Sequence, residues 1–300
     1  MQPLRVIQPW QLDSEDPPDL NAFALRFLAE GDSWFSIGTL NPAKNSNLLH
    51  EMAFSAHCLA VNCAMPGDTL RRMVQMNRDP RFVQLLCGRG AYAWDGLIVS
   101  AGGNDLIDAL GTPAVDPKTG AAVPPERRLL LTAAERGPAS AGVVRHLSEL
   151  SEPGWTTFGT YLRANFDALV AMRDSGPSKR RPVFLHGYAY PMPRPAGAGL
   201  GLGPWLHPAL VAYGVPPEDW RALARELLGR LGTLLATIAA NDERYPNLHF
   251  FDSAAVPIDD AEAGHPGESG DWINEIHLTW RGCEKLALPW ARAIEEVMAA

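Results

Sequence analysis

Three side chains of the sequence have the chemistry of acyl transfer, and two of them, Ser33 and Asn104, follow apolar runs. Ser33 lies in "EGDSWFSIG", Asn104 lies in "AGGND", and His277 lies near the C-terminus in "NEIHLT". Acyl transfer needs a nucleophilic oxygen, a base to activate it, and donors that stabilise the oxyanion. Considered by itself, Ser33 has a second interpretation, because serine is also a preferred N-cap and a strand-to-helix turn needs one.

The elements that must position these side chains can be read from the hydrophobic pattern. Apolar residues at three- and four-residue spacing predict amphipathic helices around residues 158–170 and 223–238. Short apolar runs bounded by Gly, Pro, Asn or Asp predict five buried strands. These runs are Phe23 to Ala29, Cys58 to Ala64, Gly96 to Ala101, Val183 to Tyr188 and Leu248 to Phe251. Their alternation with helices favours a doubly wound α/β sandwich, in which ligands bind beyond the carboxyl ends of parallel strands.

The domain organisation predicted from this pattern is simple. Residues 1–20 form an N-terminal extension that either packs on the domain or stays loose, and residues 21–300 form one domain. Two stretches rich in Pro and Gly, near 111–153 and 191–217, are predicted to be long loops. The second contains "GAGLGLG", which leads to a proline and not to a helix, so it does not fit a phosphate-binding loop.

Composition excludes several classes of function. The chain has 26 Lys plus Arg against 34 Asp plus Glu, a net charge of −8, so no nucleic-acid partner is expected. The N-terminus lacks the features of a secretory signal, and no apolar run approaches the roughly 18 residues of a membrane span. A cytoplasmic location is therefore expected. The cysteines lack CxxC spacing, which argues against zinc and disulfides.

Four short motifs together resemble the SGNH hydrolases, also called the GDSL esterase/lipase family. They are "GDSW" around Ser33, Gly67 in the second block, "GGND" around Asn104, and "NEIHLT" around His277. The resemblance extends from about residue 25 to about residue 295. The G-x-S-x-G motif of ordinary α/β hydrolases is absent from the sequence.

The resemblance implies a three-layer α/β/α sandwich with a flavodoxin-like, parallel five-stranded sheet. It also implies a serine hydrolase that acts on esters without a cofactor or a metal. Ser33 would be the nucleophile and His277 the base. The backbone N–H groups of Ser33 and Gly67 and the side chain of Asn104 would form the oxyanion hole.

One position departs from the family pattern. The family has Asp three residues before the histidine, and this chain has Asn274. An amide can accept the imidazole N–H but supplies no charge, and in the serine-protease example an Asp to Asn change lowers kcat about 10⁴-fold. Either another acceptor orients His277, or a Ser-His dyad is supported by a backbone carbonyl. Asp271 and Glu275 are the nearby carboxylates, and Asp271 is the preferred candidate.

Other residues near the predicted strand ends allow two interpretations. Trp34 either anchors the core or belongs to the acyl pocket. His186 and Tyr188 either bind neighbouring backbone or line the substrate cleft. Asp32 and Asp105 are expected to bind loop amides.

The predicted function is hydrolysis of carboxylic esters of small-molecule or lipid-like character. Simple aliphatic esters are favoured over sugar acetates because the second long loop is apolar, through Leu200, Leu202, Trp205, Leu206 and Leu210. A carbohydrate acetylesterase and a non-catalytic binding module on the same scaffold are the alternatives.

Overall fold

The computed structural model describes residues 1–36, 46–136, 145–199 and 201–300 of the chain. Its strands are β1 (Gln2–Pro3), β2 (Arg5–Ile7), β3 (Leu25–Gly31), β4 (Ala53–Phe54), β5 (Cys58–Asn62), β6 (Gly96–Ser100), β7 (Val183–His186) and β8 (Leu248–Phe251). Six of them form one sheet in the order β2-β5-β3-β6-β7-β8, and β1 pairs with β4 in a separate two-stranded ribbon.

All neighbouring strands of the six-stranded sheet are parallel. Every residue of β5, β6 and β7 is buried, as expected for central strands covered on both faces. The parallel α/β fold predicted from the sequence is therefore confirmed.

Helices surround this sheet. They are α1 (Ser33–Ser36), α2 (Leu48–Glu51), α3 (Leu70–Met73), α4 (Pro80–Cys87), α5 (Gly103–Leu110), α6 (Glu152–Ser175), α7 (His207–Ala212), α8 (Trp220–Ala239) and α9 (Trp280–Ala299). The two helices predicted from periodicity correspond to α6 and α8. Helix α4 packs against α6, α2 packs against α9, and α8 contacts the edge strand β8. Among the described residues, no helix combines the length and the apolar character that a membrane span requires.

The sheet has one strand more than the five predicted. Strand β2 pairs in parallel with β5 through Val6 and Ala60, so part of the N-terminal extension is the edge of the sheet. The hydrophobic pattern does not reveal this strand because it has only three residues, of which Ile7 alone is buried. The four cysteines are free thiols, as their spacing predicted.

The two predicted loops contain more structure than their composition indicates. Within 111–153, 3₁₀ turns form at Pro125–Arg127 and Arg145–Glu149, while residues 137–144 lie outside the described residues. Within 191–217, helix α7 forms, and Leu200 lies outside the described residues.

The first turn of α6 packs so closely on the loop before it that a side chain at Gly154 has no room. A Cβ there would lie 1.9 Å from the carbonyl oxygen of Arg128 and 2.7 Å from that of Pro125. Gly229 in α8, in contrast, has room for a side chain, because the nearest atom to an added Cβ would be the Tyr190 hydroxyl oxygen at 3.5 Å.

We therefore expect Gly154→Ala to lower the free energy of unfolding by roughly 3 kcal/mol, because rigid backbone must move. Gly229→Ala, the matched control, should raise it by about 0.5–1 kcal/mol, because alanine loses less entropy in a helix. Chemical denaturation measures both. Equal effects of the two substitutions would contradict the packing described for α6.

Candidate active site

Ser33 begins a helix directly after the central strand β3. The chain turns at Gly31, where a Cβ would lie only 2.8 Å from the Cβ of Ser100 on the neighbouring strand. The amide of Asp32 then donates to the carbonyl of Ser100 across the strand ends, at 3.2 Å. The absence of a side chain at Gly31 thus lets two strands approach closely and presents Ser33 at the carboxyl edge of the sheet.

The hydroxyl of Ser33 lies within hydrogen-bond distance of His277. Its Oγ is 2.7 Å from Nε2 of the imidazole, although the two residues are 244 positions apart in the sequence. Both are buried, with 7% and 4% of their surface exposed. Trp205 packs edge-on against the imidazole, with ring centroids 5.0 Å apart. The structure thus brings together the serine and the histidine that the sequence singled out.

Asn274 faces the other nitrogen of the ring. Its Oδ1 lies 2.9 Å from Nδ1 of His277 and also accepts the backbone N–H groups of Ile276 and His277, at 3.1 and 2.9 Å. Because two backbone donors point at this atom, it must be the oxygen of the amide and not its nitrogen. The imidazole therefore carries its proton on Nδ1, and the bare Nε2 faces the hydroxyl of Ser33.

The preference for Asp271 as the third member of the site is wrong. Oδ2 of Asp271 accepts from Nζ of Lys285 at 2.6 Å and from the amide of Asp259 at 2.7 Å. Its carboxylate is therefore committed to a neighbouring loop and a lysine, while Asn274 occupies the position beside Nδ1.

Glu275 has a structural role that the sequence did not reveal. It is fully buried, and its carboxylate accepts the amides of Leu206 and His207 at 2.9 and 2.7 Å, together with those of Trp205 and Arg194. Burial raises the pKa of Glu275, and these four backbone donors act in the opposite direction. Glu275 thus ties the 191–217 loop to the segment that carries His277.

Arg194 provides a second tie that sequence reasoning missed. This fully buried guanidinium donates to the carbonyl oxygens of Asn274 at 2.7 Å and His265 at 2.6 Å, and to that of Gly267. A buried arginine needs such a set of acceptors because its charge is costly without them. Its isolated position in "PMPRP" gave no indication of these distant partners.

The environment keeps His277 neutral. Burial lowers the pKa of its imidazole to about 4. The facing amide of Asn274 carries no charge that would stabilise the protonated ring. His277 is therefore able to accept a proton at neutral pH.

Three groups are candidate oxyanion donors for Ser33. Asn104, at the start of α5, lines the same cleft as Ser33, and its Nδ2 donates one hydrogen bond to the carbonyl of Asp68 at 3.0 Å. This bond leaves the second N–H of the amide available. Gly67 precedes Asp68 and has φ +79°, a conformation that favours glycine. Within the described residues, the backbone N–H groups of Ser33 and Gly67 donate no hydrogen bond.

Asp32 organises the base of the site. Its carboxylate accepts from the hydroxyls of Tyr188 and Ser100 at 2.6 and 2.8 Å, and from the amide of Trp34 at 3.0 Å. Burial raises the pKa of Asp32 to about 6, although these three donors lower it. Asp105 similarly accepts from the amide of Leu70. Both carboxylates thus accept backbone amides, as expected from the sequence, although these amides belong to the first turns of α1 and α3 and not to loops.

A predominantly apolar cleft opens beside Ser33, with an empty volume of about 420 Å³ that includes some open solvent. Trp34 and Tyr188 line this cleft, which agrees with the interpretations that Trp34 belongs to the acyl pocket and that Tyr188 lines the substrate cleft. The remaining apolar side chains come from α5, α8, the 191–217 loop and the C-terminal segment, and they are Leu106, Ile107, Leu206, Leu228, Trp272 and Ile276. A second cavity, with an empty volume of about 310 Å³ that also includes open solvent, is lined by Ser33, His277, Leu48 and Ile273 among others.

The prediction that His186 lines the substrate cleft is wrong, and the other interpretation holds, because its Nδ1 is hydrogen-bonded to the backbone carbonyl of Gly187. It is 1% exposed and packs between Trp34 and Trp290, with ring centroids 5.6 and 4.6 Å away. Burial lowers its pKa to about 4. The side chain of His186, on a central strand, points into the core behind Trp34.

Several solved structures resemble this fold over most of its length. An extracellular lipase from Streptomyces rimosus is 16% identical, covers 90% of this chain and 99% of its own, and superposes with a TM-score of 0.50. A phospholipase A1 from Streptomyces albidoflavus is 14% identical, with 90% and 99% coverage and a TM-score of 0.47. A carbohydrate acetylesterase from Sinorhizobium meliloti is 12% identical, with 91% and 99% coverage and a TM-score of 0.46.

Comparison of the sequence with protein-family models and with curated proteins finds no match. At such low identity, the structural similarity to the Streptomyces rimosus lipase establishes the fold alone. That fold is the SGNH hydrolase fold, as the sequence motifs predicted.

The position of Asn274 makes a prediction about the pKa of His277. Asn274→Asp places a carboxylate against Nδ1 without changing size, and an adjacent opposite charge favours the protonated ring. We expect the pKa of His277 to rise from its lowered value by roughly 1–3 units. NMR titration of the imidazole measures this shift. Ser33→Ala, which leaves the Nδ1 side intact, is the control, and an unchanged pKa in Asn274→Asp would show that Asn274 does not face the ring.

Proposed function

We propose that this protein is a serine hydrolase of carboxylic esters that works through an acyl-enzyme on Ser33. The observation that carries the proposal is the hydrogen-bonded series from Ser33 Oγ through His277 to Asn274 Oδ1. It lies at the carboxyl edge of a parallel sheet, beside an apolar cleft, in the SGNH hydrolase fold. The cytoplasmic location of the protein stays a prediction.

The proposed reaction has two halves. Ser33 Oγ attacks the ester carbonyl while Nε2 of His277 takes the hydroxyl proton, and the tetrahedral intermediate collapses as His277 returns that proton to the leaving alcohol. Water then attacks the acyl-enzyme with His277 again as the base, which releases the acid and restores Ser33. No step needs an oxidant, a reductant or a second substrate other than water.

Asn274 can replace the usual aspartate in one of its two roles. A third member holds the imidazole in the correct tautomer and stabilises the imidazolium. The oriented amide oxygen of Asn274 can hold the correct tautomer of the imidazole. It stabilises the imidazolium only through the dipole of the amide, because it carries no full charge. The large loss caused by an Asp to Asn change elsewhere arises mainly from a wrong tautomer. The two backbone donors on Asn274 Oδ1 remove that problem here.

Stabilisation of the oxyanion would come from three uncharged donors. They are the free N–H of the Asn104 amide and the backbone N–H groups of Ser33 and Gly67. Donors already held in place in a water-poor site cost no reorganisation when charge develops on the substrate. The bond from Asn104 to the carbonyl of Asp68 supports such a fixed arrangement.

The two cavities suggest where each half of the ester binds. The leaving alcohol must be within reach of His277, and His277 lines the smaller cavity but not the larger cleft. The acyl chain would therefore occupy the larger, apolar cleft. Leu206 contributes to that cleft, whereas Leu202 is 63% exposed and Leu210 is buried elsewhere in the core. The apolar lining favours simple aliphatic acyl groups over sugar acetates.

A fluorophosphonate probe tests the nucleophile directly. Wild-type protein should be labelled stoichiometrically, and Ser33→Ala should abolish both labelling and hydrolysis of p-nitrophenyl esters. Loss of one oxyanion donor in Asn104→Ala should lower kcat roughly 10²- to 10³-fold while the fold is retained.

The control is Asn165→Ala, which removes an amide that donates to the carbonyl of Tyr161 on α6, away from Ser33. Its kcat should stay at the wild-type value. Full activity of Asn104→Ala would eliminate the assigned oxyanion hole. Wild-type protein that the probe does not label would favour the non-catalytic binding module.

A chain-length series tests the acyl site. Two added methylene groups that become buried are worth about 0.8 kcal/mol each, so kcat/KM for p-nitrophenyl butyrate should exceed that for the acetate roughly tenfold. Release of acetate from acetylated xylan should be slower than either reaction. The reverse order, with the polysaccharide preferred, would support the carbohydrate acetylesterase alternative.

A further inference from the structure

Three carboxylates lie close together next to the turn after β5, which contains the proposed oxyanion donor Gly67. Glu30 is at the end of β3, Asp68 lies in the turn after β5, and Asp79 caps the N-terminus of α4. One carboxylate oxygen from each lies within 4.8 Å of the others. These residues belong to three separate segments, so the fold itself assembles the cluster.

Two of these acids direct unpaired oxygens into the protein interior. One oxygen of Glu30 accepts the amide of Gly31 at 2.7 Å, and one of Asp79 accepts the amide of Phe82 at 2.9 Å. Their second oxygens, Oε2 and Oδ2, are buried and have no hydrogen-bond partner among the described residues. Glu30 is fully buried and Asp79 is 6% exposed. An unsatisfied carboxylate oxygen at such depth is costly and calls for a ligand or a proton.

Asp68 provides the access to solvent. Its side chain is 15% exposed, and Arg72, itself half-exposed, approaches it at 4.0 Å. Among the described residues, no donor makes a hydrogen bond to the carboxylate of Asp68. Burial and the neighbouring Asp79 raise the pKa of Asp68 to about 6, and burial and Asp79 raise that of Glu30 well above its usual range.

We propose that Glu30, Asp68 and Asp79 bind a hard divalent cation, of which Ca²⁺ is the best match. A proton shared between Glu30 and Asp79 would satisfy two carboxylates and leave Asp68 with only the distant charge of Arg72 among the described residues, whereas one cation satisfies all three. An all-carboxylate set selects Ca²⁺ or Mg²⁺ over softer metals. Calcium accepts carboxylate oxygens at about 2.3–2.6 Å with variable geometry, so ligand atoms up to nearly 5 Å apart fit around it.

The site has a consequence for the candidate active site. The carbonyl of Asp68 accepts from Asn104, and Gly67 is its neighbour in the chain. A cation that holds Asp68 to Glu30 and Asp79 would fix the turn that carries one proposed oxyanion donor, Gly67, and that accepts the hydrogen bond of a second, Asn104. This consequence rests on the proposed function, but binding of the cation does not.

The test uses the full chain, dialysed against EDTA and then against metal-free buffer. Calorimetric titration with CaCl₂ should give one saturable site, and the Tm should rise with CaCl₂ but not with NaCl at equal ionic strength. Affinity should tighten between pH 6 and pH 8, because protons compete for the carboxylates. MgCl₂ should bind more weakly.

Asp68→Asn and Glu30→Gln should each weaken Ca²⁺ binding at least tenfold. Asp108→Asn is the matched control, because it removes another carboxylate near Arg72 that is not part of the cluster, and it should keep wild-type affinity. Wild-type affinity in Asp68→Asn would place any bound Ca²⁺ elsewhere and overturn the proposal. No binding to wild type, together with an undiminished Tm in Glu30→Gln, would assign the shared proton instead.

Esterase activity is measured separately, with and without CaCl₂. If Ca²⁺ binds while ester hydrolysis is absent, the cation site stands and the proposed function fails. If esters are hydrolysed while Ca²⁺ does not bind, the cation site alone is wrong. When both hold, Ca²⁺ should raise kcat of the wild type and leave that of Asp68→Asn unchanged.

Discussion

The hydrogen bond between Asn274 Oδ1 and the imidazole of His277 is the interaction on which the rest of the site depends. Two backbone N–H groups fix the orientation of this amide, and the amide in turn fixes the tautomer of the ring. Only with the proton on Nδ1 can Nε2 accept from Ser33. A neutral side chain performs this task because the direction of the acceptor, and not its charge, selects the tautomer. The cost is a weaker base, since no charged group among the described residues stabilises the imidazolium.

Such a mechanism requires that the segment around Asn274 does not move. Arg194 holds the carbonyl of Asn274 from one side, and Glu275 binds the amides of the 191–217 loop from the other. Both side chains are fully buried. The charge of each is stabilised by several hydrogen bonds to backbone groups and not by exposed ion pairs. Buried networks of this kind specify one arrangement because each partial alternative leaves a charged group unsatisfied. The charged side chains thus stabilise the geometry of the site without facing the reaction.

Much of the fold and part of the site could be predicted from the sequence because both are encoded locally. Buried strands are short apolar runs, and the residues after them meet at one edge of a parallel sheet, so Ser33 and Asn104 are identifiable from their places in the chain. His277 lies in the segment between β8 and α9, and it is identifiable through the "NEIHLT" motif. Partners distant in sequence carry no such signal. Arg194 and Glu275 resemble ordinary loop residues in isolation, and Asp271 was preferred over Asn274 only because charge is visible in a sequence and orientation is not. Strand β2 is too short for periodicity to reveal.

Negative charge close to Ser33 must be stabilised or neutralised by other groups, because an unscreened carboxylate opposes formation of an oxyanion. Asp32 and Glu30 both flank the turn that carries Ser33, and both are fully buried. The charge of Asp32 is spread over three donors, from Tyr188, Ser100 and Trp34. Glu30 has one donor within residues 1–36, 46–136, 145–199 and 201–300, so its second oxygen requires a proton or a cation. Hydrogen bonds thus stabilise the charge of Asp32, whereas the charge of Glu30, in the cluster with Asp68 and Asp79, would be neutralised by a shared proton or by the proposed cation.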